Sequence, residues 1–134
     1  MSPGDTATST QSVQPLVLIA DDDADVRDAL VDLVRRRASA RVIAAVDGAD
    51  ALAIAADSRP DLVLTDWMMP RLNGAELLQA LRADPATRAV PVVLFSAYVN
   101  PAMSAGVGFD GYLPKPVRLA ALQGLLERFL PKAG

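Results

Sequence analysis

Five short apolar runs limit how this chain can fold. They fall at about 15–20, 41–46, 61–65, 91–95 and 110–114. Each is rich in Val, Leu or Ile, and most lack alternation of apolar with polar residues, which marks parallel strands covered on both faces. Helical patterns separate them. In 24–37, Val26, Leu30, Leu33 and Val34 fall on one stripe. Asp23, Asp25 and Asp28 come early there and Arg35-Arg36-Arg37 come late, as the helix dipole favours, and the arginine triplet reads as a solvated helix end. Asp47 is placed to cap a second helix over 48–57, which closes before Pro60. A third helix over 74–83 turns Leu77, Leu78 and Leu81 inward, and a last one over 117–130 presents Leu119, Leu122, Leu126 and Phe129. Strands alternating with helices predict an α/β fold with right-handed crossovers and a doubly wound parallel sheet.

Length and composition narrow the function. A chain of 134 residues fits one domain, and 51% hydrophobic residues supply a core. Residues 1–14, rich in Ser, Thr, Gln, Gly and Pro, are expected to form a flexible tail ahead of a domain over 15–131. No apolar run approaches the ~18 residues that span a bilayer, and no secretory signal pattern opens the chain. The expectation is a cytoplasmic protein with no membrane partner. There are no cysteines and no histidines, so disulfides and phosphohistidine are excluded and any metal chemistry must use oxygen. A net charge of −3 gives no reason to expect direct nucleic-acid binding.

The chemistry gathers at strand ends. Leu16-Val17-Leu18-Ile19-Ala20 runs into Asp21-Asp22-Asp23, and Leu62-Val63-Leu64-Thr65 runs into Asp66. Open parallel sheets bind ligands outside the carboxyl ends of their strands. If the first and third strands are neighbours, ~4.8 Å apart, Asp21, Asp22 and Asp66 converge. Carboxylates that close repel one another unless a cation intervenes, and Mg²⁺ takes carboxylate and phosphate oxygens while keeping several waters. A carboxylate is also a nucleophile toward phosphorus, in a reaction that mainly needs positioning and charge neutralisation. Ser96, closing Val92-Val93-Leu94-Phe95-Ser96, offers a hydroxyl to a phosphoryl oxygen. Lys115, in Tyr112-Leu113-Pro114-Lys115-Pro116, offers an ammonium to a phosphoryl oxygen or to unmodified Asp66. Pro116 fixes the backbone after it, with a cis bond as one option. Singly these residues have plainer readings: Asp23 as a helix cap, Ser96 as a turn former, Lys115 as a surface charge, Tyr112 as a core aromatic. Their order, each at a strand's carboxyl end, favours a shared site.

With these motifs in place, the chain resembles the receiver domains of bacterial two-component response regulators over about 15–131. The resemblance rests on Asp21-Asp22-Asp23 after the first strand, Asp66-Trp67-Met68-Met69-Pro70-Arg71-Leu72-Asn73-Gly74, Phe95-Ser96-Ala97 and Tyr112-Leu113-Pro114-Lys115-Pro116. It implies a flavodoxin-like (βα)5 fold with strand order 2-1-3-4-5. It implies Asp66 as phosphoacceptor from the phosphohistidine of a sensor histidine kinase or a histidine phosphotransfer protein. Asp21, Asp22, Asp66 and the Met68 backbone carbonyl would hold Mg²⁺, with Mn²⁺ as a substitute. Ser96 and Lys115 would contact the phosphoryl group, Ser96 and Tyr112 would form the switch, and Gly74 would give the loop after Asp66 its turn. The output would be an altered contact with a downstream protein, through a face at roughly 98–130, from a single-domain regulator that is not an enzyme in the ordinary sense. The added phosphoryl charge, about −1.5 to −2, gives Ser96 and Lys115 partners that exist only in the modified state.

Two departures qualify the resemblance. Between Ser96 and Tyr112 the chain is shorter than the family norm by roughly one helical turn, and Pro101 with Gly106 and Gly108 interrupts it. A short or irregular fourth helix is expected. Met68 and Tyr98 flank the expected phosphoryl position, and their bulk suggests water exclusion and slow autodephosphorylation. Other classes fit less well. A phosphorylation-independent module would not need Asp21, Asp22, Asp66, Ser96 and Lys115 together. A phosphohydrolase with an aspartyl nucleophile needs an acid two residues on, where Met68 stands. A nucleotide or flavin binder would show a Gly-rich loop after the first strand.

Overall fold

A computed structural model describes residues 14–97 and 108–130. The strands are β1 (Leu16–Ala20), β2 (Arg41–Ala45), β3 (Leu62–Thr65), β4 (Val92–Ser96) and β5 (Gly111–Pro114). The helices among the described residues are α1 (Ala24–Arg37), α2 (Gly48–Ser58), α3 (Gly74–Ala83) and α4 (Leu119–Phe129). All strand pairs are parallel and the order is β2-β1-β3-β4-β5, as expected. The expected tail and the expected irregular helix, with Tyr98, fall largely or wholly outside the described residues.

Alternate residues of the inner strands face opposite layers, which is why these runs are apolar throughout. Leu18, Val63, Val92 and Leu94 pack with Leu77, Leu78 and Leu81 of α3 and with Ala51 and Ala55 of α2. Val17, Ile19, Leu64, Val93, Phe95 and Leu113 pack on the other face with Leu30 and Val34 of α1 and Leu122 and Leu126 of α4. Each such Leu, fully buried, contributes about 1.5–3 kcal/mol relative to exposure.

The helix starts follow the acidic signals. Asp23 caps α1 by accepting from the Asp25 and Val26 amides, and Asp47 caps α2 by accepting from the Asp50 amide at 2.8 Å. Asn73 and Glu76 form a reciprocal capping box at the start of α3. Two expectations need correction. The β2 strand is not covered on both faces: it is an edge, and Arg41 and Ala44 are exposed. Leu119 does not join the core of the last helix but is 43% exposed, because α4 starts only at that residue, uncapped, after a non-helical turn.

Candidate functional site

Strand register assembles the site. Ala20 pairs with Thr65, and the ladder runs one step further, the Asp66 amide donating to the Ala20 carbonyl at 2.9 Å. Asp21 and Asp66 therefore leave neighbouring strands side by side. Asp21, Asp22 and Asp66 each bring a carboxylate oxygen within 4.8 Å of the others. Asp21 is fully buried, Asp22 exposed and Asp66 in between. Asp21 Oδ1 accepts from the Asp23 amide at 2.9 Å, and Asp66 Oδ1 accepts from the Trp67 amide at 2.8 Å.

Lys115 closes the cluster. Its Nζ lies 2.9 Å from Asp21 Oδ2 and 3.3 Å from Asp66 Oδ2, and 5.0 Å from the centre of the Phe95 ring. Its amide donates to the Ser96 carbonyl at 3.1 Å, which ties β5 to the end of β4. The Lys115–Pro116 peptide is cis. Ser96 is buried at that strand end, and Tyr112 is half-buried.

The charges explain the titration of the group. Burial pushes the Asp66 carboxyl above its ordinary value, and the Asp21 charge adds to that against the opposing pull of Lys115. Burial works against the Lys115 ammonium, but hydrogen bonding to Asp21 and attraction to Asp66 outweigh it and raise its pKa. Three carboxylates facing one ammonium leave the pocket negative. Convergent hard oxygen donors with a surplus of negative charge suit Mg²⁺, so the residues present fit the metal.

The loop between β3 and α3 carries the remaining expected residues. Met68 is 68% exposed, so its side chain points largely into solvent. Gly74 does not supply the turn that was expected of it. It starts α3 without a positive φ, and what it supplies is room: a Cβ there would lie 2.5 Å from the Asp66 carbonyl oxygen. The turn is made by Arg71, at φ +71°, with the Leu72 amide donating to the Pro70 carbonyl at 2.8 Å.

Three features escaped sequence reasoning. Arg27 donates to the Asp21 backbone carbonyl at 2.8 Å. Phe109 stands between Trp67 and Tyr112, with ring centres 6.1 and 6.3 Å away. Arg71 forms an ion pair with buried Asp47, through both Nε, at 3.0 Å, and a terminal guanidinium nitrogen. The Arg27 contact reaches back six residues, from the first turn of α1 to the backbone ahead of the helix, and no side-chain pattern marked it. Phe109 and Tyr112 are only three residues apart, but the Trp67–Phe109 and Arg71–Asp47 contacts span 42 and 24 residues and had no local signal.

Known proteins agree with this geometry. The response regulator receiver domain family matches residues 17–127. Protein PilG of Pseudomonas aeruginosa is 33% identical over 118 residues, 86% of this chain and 87% of that protein. The transcriptional regulatory protein PrrA of Mycobacterium tuberculosis is 40% identical over 130 residues, but this chain covers only 54% of it. Among solved structures, the chemotaxis response regulator CheY4 of Vibrio cholerae superposes with a TM-score of 0.80 at 28% identity, covering 88% of this chain and all of that one. The receiver domain of the sensor histidine kinase PA1611 of P. aeruginosa, solved with a magnesium ion in its active-site cleft, gives 0.79 at 27% identity, covering 87% and 98%. From its sheet order, its acidic pocket and these relatives, the chain belongs to the response regulator receiver domain family of two-component signalling.

Proposed function

We propose that Asp66 accepts a phosphoryl group from a phosphohistidine of a histidine kinase or a histidine phosphotransfer protein, and that the modified domain changes its contacts with a downstream protein. The observation that carries this reading is the pairing of one Lys115 ammonium with both Asp21 and Asp66, whose carboxylates leave the ends of the adjacent strands β1 and β3. A carboxylate oxygen of Asp66 attacks phosphorus and an O–P bond forms. The P–N bond of the donor breaks, and the imidazole leaves with that electron pair and takes up a proton from water. Lys115 pairs with a phosphoryl oxygen as it arrives, giving up part of its contact with the carboxylates. Ser96 turns its hydroxyl toward another phosphoryl oxygen, and Tyr112 follows it inward as the switch. Asp21 and Asp22, with Asp66 and the Met68 carbonyl, hold Mg²⁺, which neutralises phosphoryl charge when bound.

In this reading the receiver unit spans 15–131 and works in the cytoplasm. No helix among the described residues is long and apolar enough to cross a membrane. Met68 and Tyr98 slow hydrolysis of the aspartyl phosphate by hindering water, and an unchanged decay rate in Met68→Asn and Tyr98→Ala would remove that part.

Intact-mass measurement with a small-molecule phosphodonor, with and without Mg²⁺, tests the proposal. The expected result is one phosphoryl adduct that needs Mg²⁺ and is lost in Asp66→Ala. Absence of an adduct with Mg²⁺ demonstrably bound would favour a phosphorylation-independent interaction module.

A further inference from the structure

We propose that Arg71, locked to Asp47, is a positioning residue that sets the magnesium affinity of the acidic pocket by fixing the β3–α3 loop. The inference rests on the magnesium-dependent reading above, because the same loop carries Asp66 and the Met68 carbonyl.

The loop is held at three points. At its end, Gly74 lies against the Asp66 carbonyl with no room for a Cβ, and the Gly74 amide donates to the Trp67 carbonyl at 2.8 Å. On the α2 side, Gly48 meets the Leu72 backbone so closely that a Cβ would stand 2.2 Å from the Leu72 carbonyl oxygen. Immediately before Leu72 lies Arg71 in the left-handed region, where a side chain is unfavourable. Such a conformation persists only where its surroundings over-determine it, and it clusters at functional sites.

Asp47 supplies that constraint. It is 3% exposed, its Oδ1 caps α2 through the Asp50 amide, and its Oδ2 takes two nitrogens of the Arg71 guanidinium. Both nitrogens converge on that one oxygen, and although the Arg71 side chain is 67% exposed, its carboxylate partner is buried and held by the α2 cap, so the contact anchors the guanidinium to a fixed point. Hydrogen bonding to the Asp50 amide and to Arg71 holds the Asp47 carboxyl below its ordinary range, so the pair stays charged under neutral conditions. A buried carboxylate on one side and a reversed backbone on the other leave the loop little freedom. The groups for the metal lie three to five residues upstream, on the same short segment. Residues that orient ligands from behind change metal affinity by about 10–100-fold when altered.

The test separates placement from stability. Arg71→Gly removes the ion pair but suits the positive φ, so it relieves strain as it cuts the clamp. Asp47→Asn removes the charge and keeps an oxygen for the Asp50 amide. Mg²⁺ binding is read by titration calorimetry and by fluorescence of Trp67, the only tryptophan, with thermal melts alongside. Each variant is expected to weaken Mg²⁺ binding about tenfold, the double variant no further, and phosphorylation at saturating Mg²⁺ to return to within about twofold of the parent. Mg²⁺ binding within about twofold of the parent in Arg71→Gly, whatever the melts do, would make the clamp purely structural and overturn the proposal. Should Asp47→Asn not fold, Arg71→Gly alone decides. A parent protein that binds no Mg²⁺ overturns the functional reading itself, and is recognised before either variant is compared.

Discussion

Replacing Lys115 by Met should destabilise the metal-free protein and strengthen its grip on Mg²⁺. Met keeps an unbranched side chain against Phe95 while removing the charge. Lys115 Nζ pairs with Asp21 at 2.9 Å and Asp66 at 3.3 Å, and the lysine side chain is only 18% exposed. At an effective dielectric of about 20, a unit pair at 4 Å attracts by about 4 kcal/mol, most of which the cost of leaving water offsets. Breaking such a pair costs more than forming it gained, because a buried carboxylate is stranded. Losses of about 3–5 kcal/mol are usual, and residual exposure puts Lys115→Met near 3 kcal/mol. The same ammonium repels an incoming cation. Even with water-like screening, a divalent ion about 4 Å from a unit charge is repelled by about 2 kcal/mol, so its removal should tighten Mg²⁺ binding about 30-fold. Urea unfolding in chelator and Mg²⁺ titration of the same samples measure both effects. A metal-free stability within about 0.5 kcal/mol of the parent, or Mg²⁺ binding no tighter than the parent's, would refute Lys115 as the pocket's internal counter-ion. Phosphorylation of this variant should be slow even with metal saturated, since the ammonium is also proposed to pair with the phosphoryl oxygen.

Four further outcomes follow from the same geometry. Because the folded-state pKa of Asp66 is raised, its ionised form disfavours folding, so metal-free stability should rise as pH falls through that raised value toward the ordinary aspartate range; Asp66→Asn should stabilise the apo protein at neutral pH and flatten that limb in pH-dependent melts. The Lys115 contribution has the opposite placement: fully present below the ordinary lysine value, it is lost as pH rises through the raised folded value, and the alkaline limb should disappear in Lys115→Met. Gly74→Ala sets a methyl 2.5 Å from the Asp66 carbonyl, where only backbone can yield, so a loss of about 1–3 kcal/mol in urea melts should accompany slower phosphorylation in the mass assay. Leu77→Ala, in the layer under α3, should cost about 2–5 kcal/mol yet leave Mg²⁺ affinity unchanged while the protein remains folded, which separates core effects from site effects.

The sequence by itself determined the layers and the inventory of the pocket. Non-alternating runs such as Leu16–Ala20 and Leu62–Thr65 must be buried on both faces, and carboxylates at their ends are carried to one rim of the sheet. Asp23 and Asp47 signalled helix starts because capping is local, set by a side chain reaching amides two or three residues on. Tertiary structure decided what no local rule encodes. The residues of β2 read like an inner strand; its edge position was expected only from the strand order that the family resemblance implies, because that position depends on which crossover packs where rather than on its own residues. Gly74 looked like a turn glycine and proved to be a contact glycine, since its demand comes from the Asp66 backbone pressed against it. Asp47 was legible as a cap, but its second role toward Arg71 spans 24 residues and arises only when two loops meet at the sheet's rim. Pairings of that kind depend on long-range register and loop packing, and those are fixed by the assembled core, not by any window of the chain.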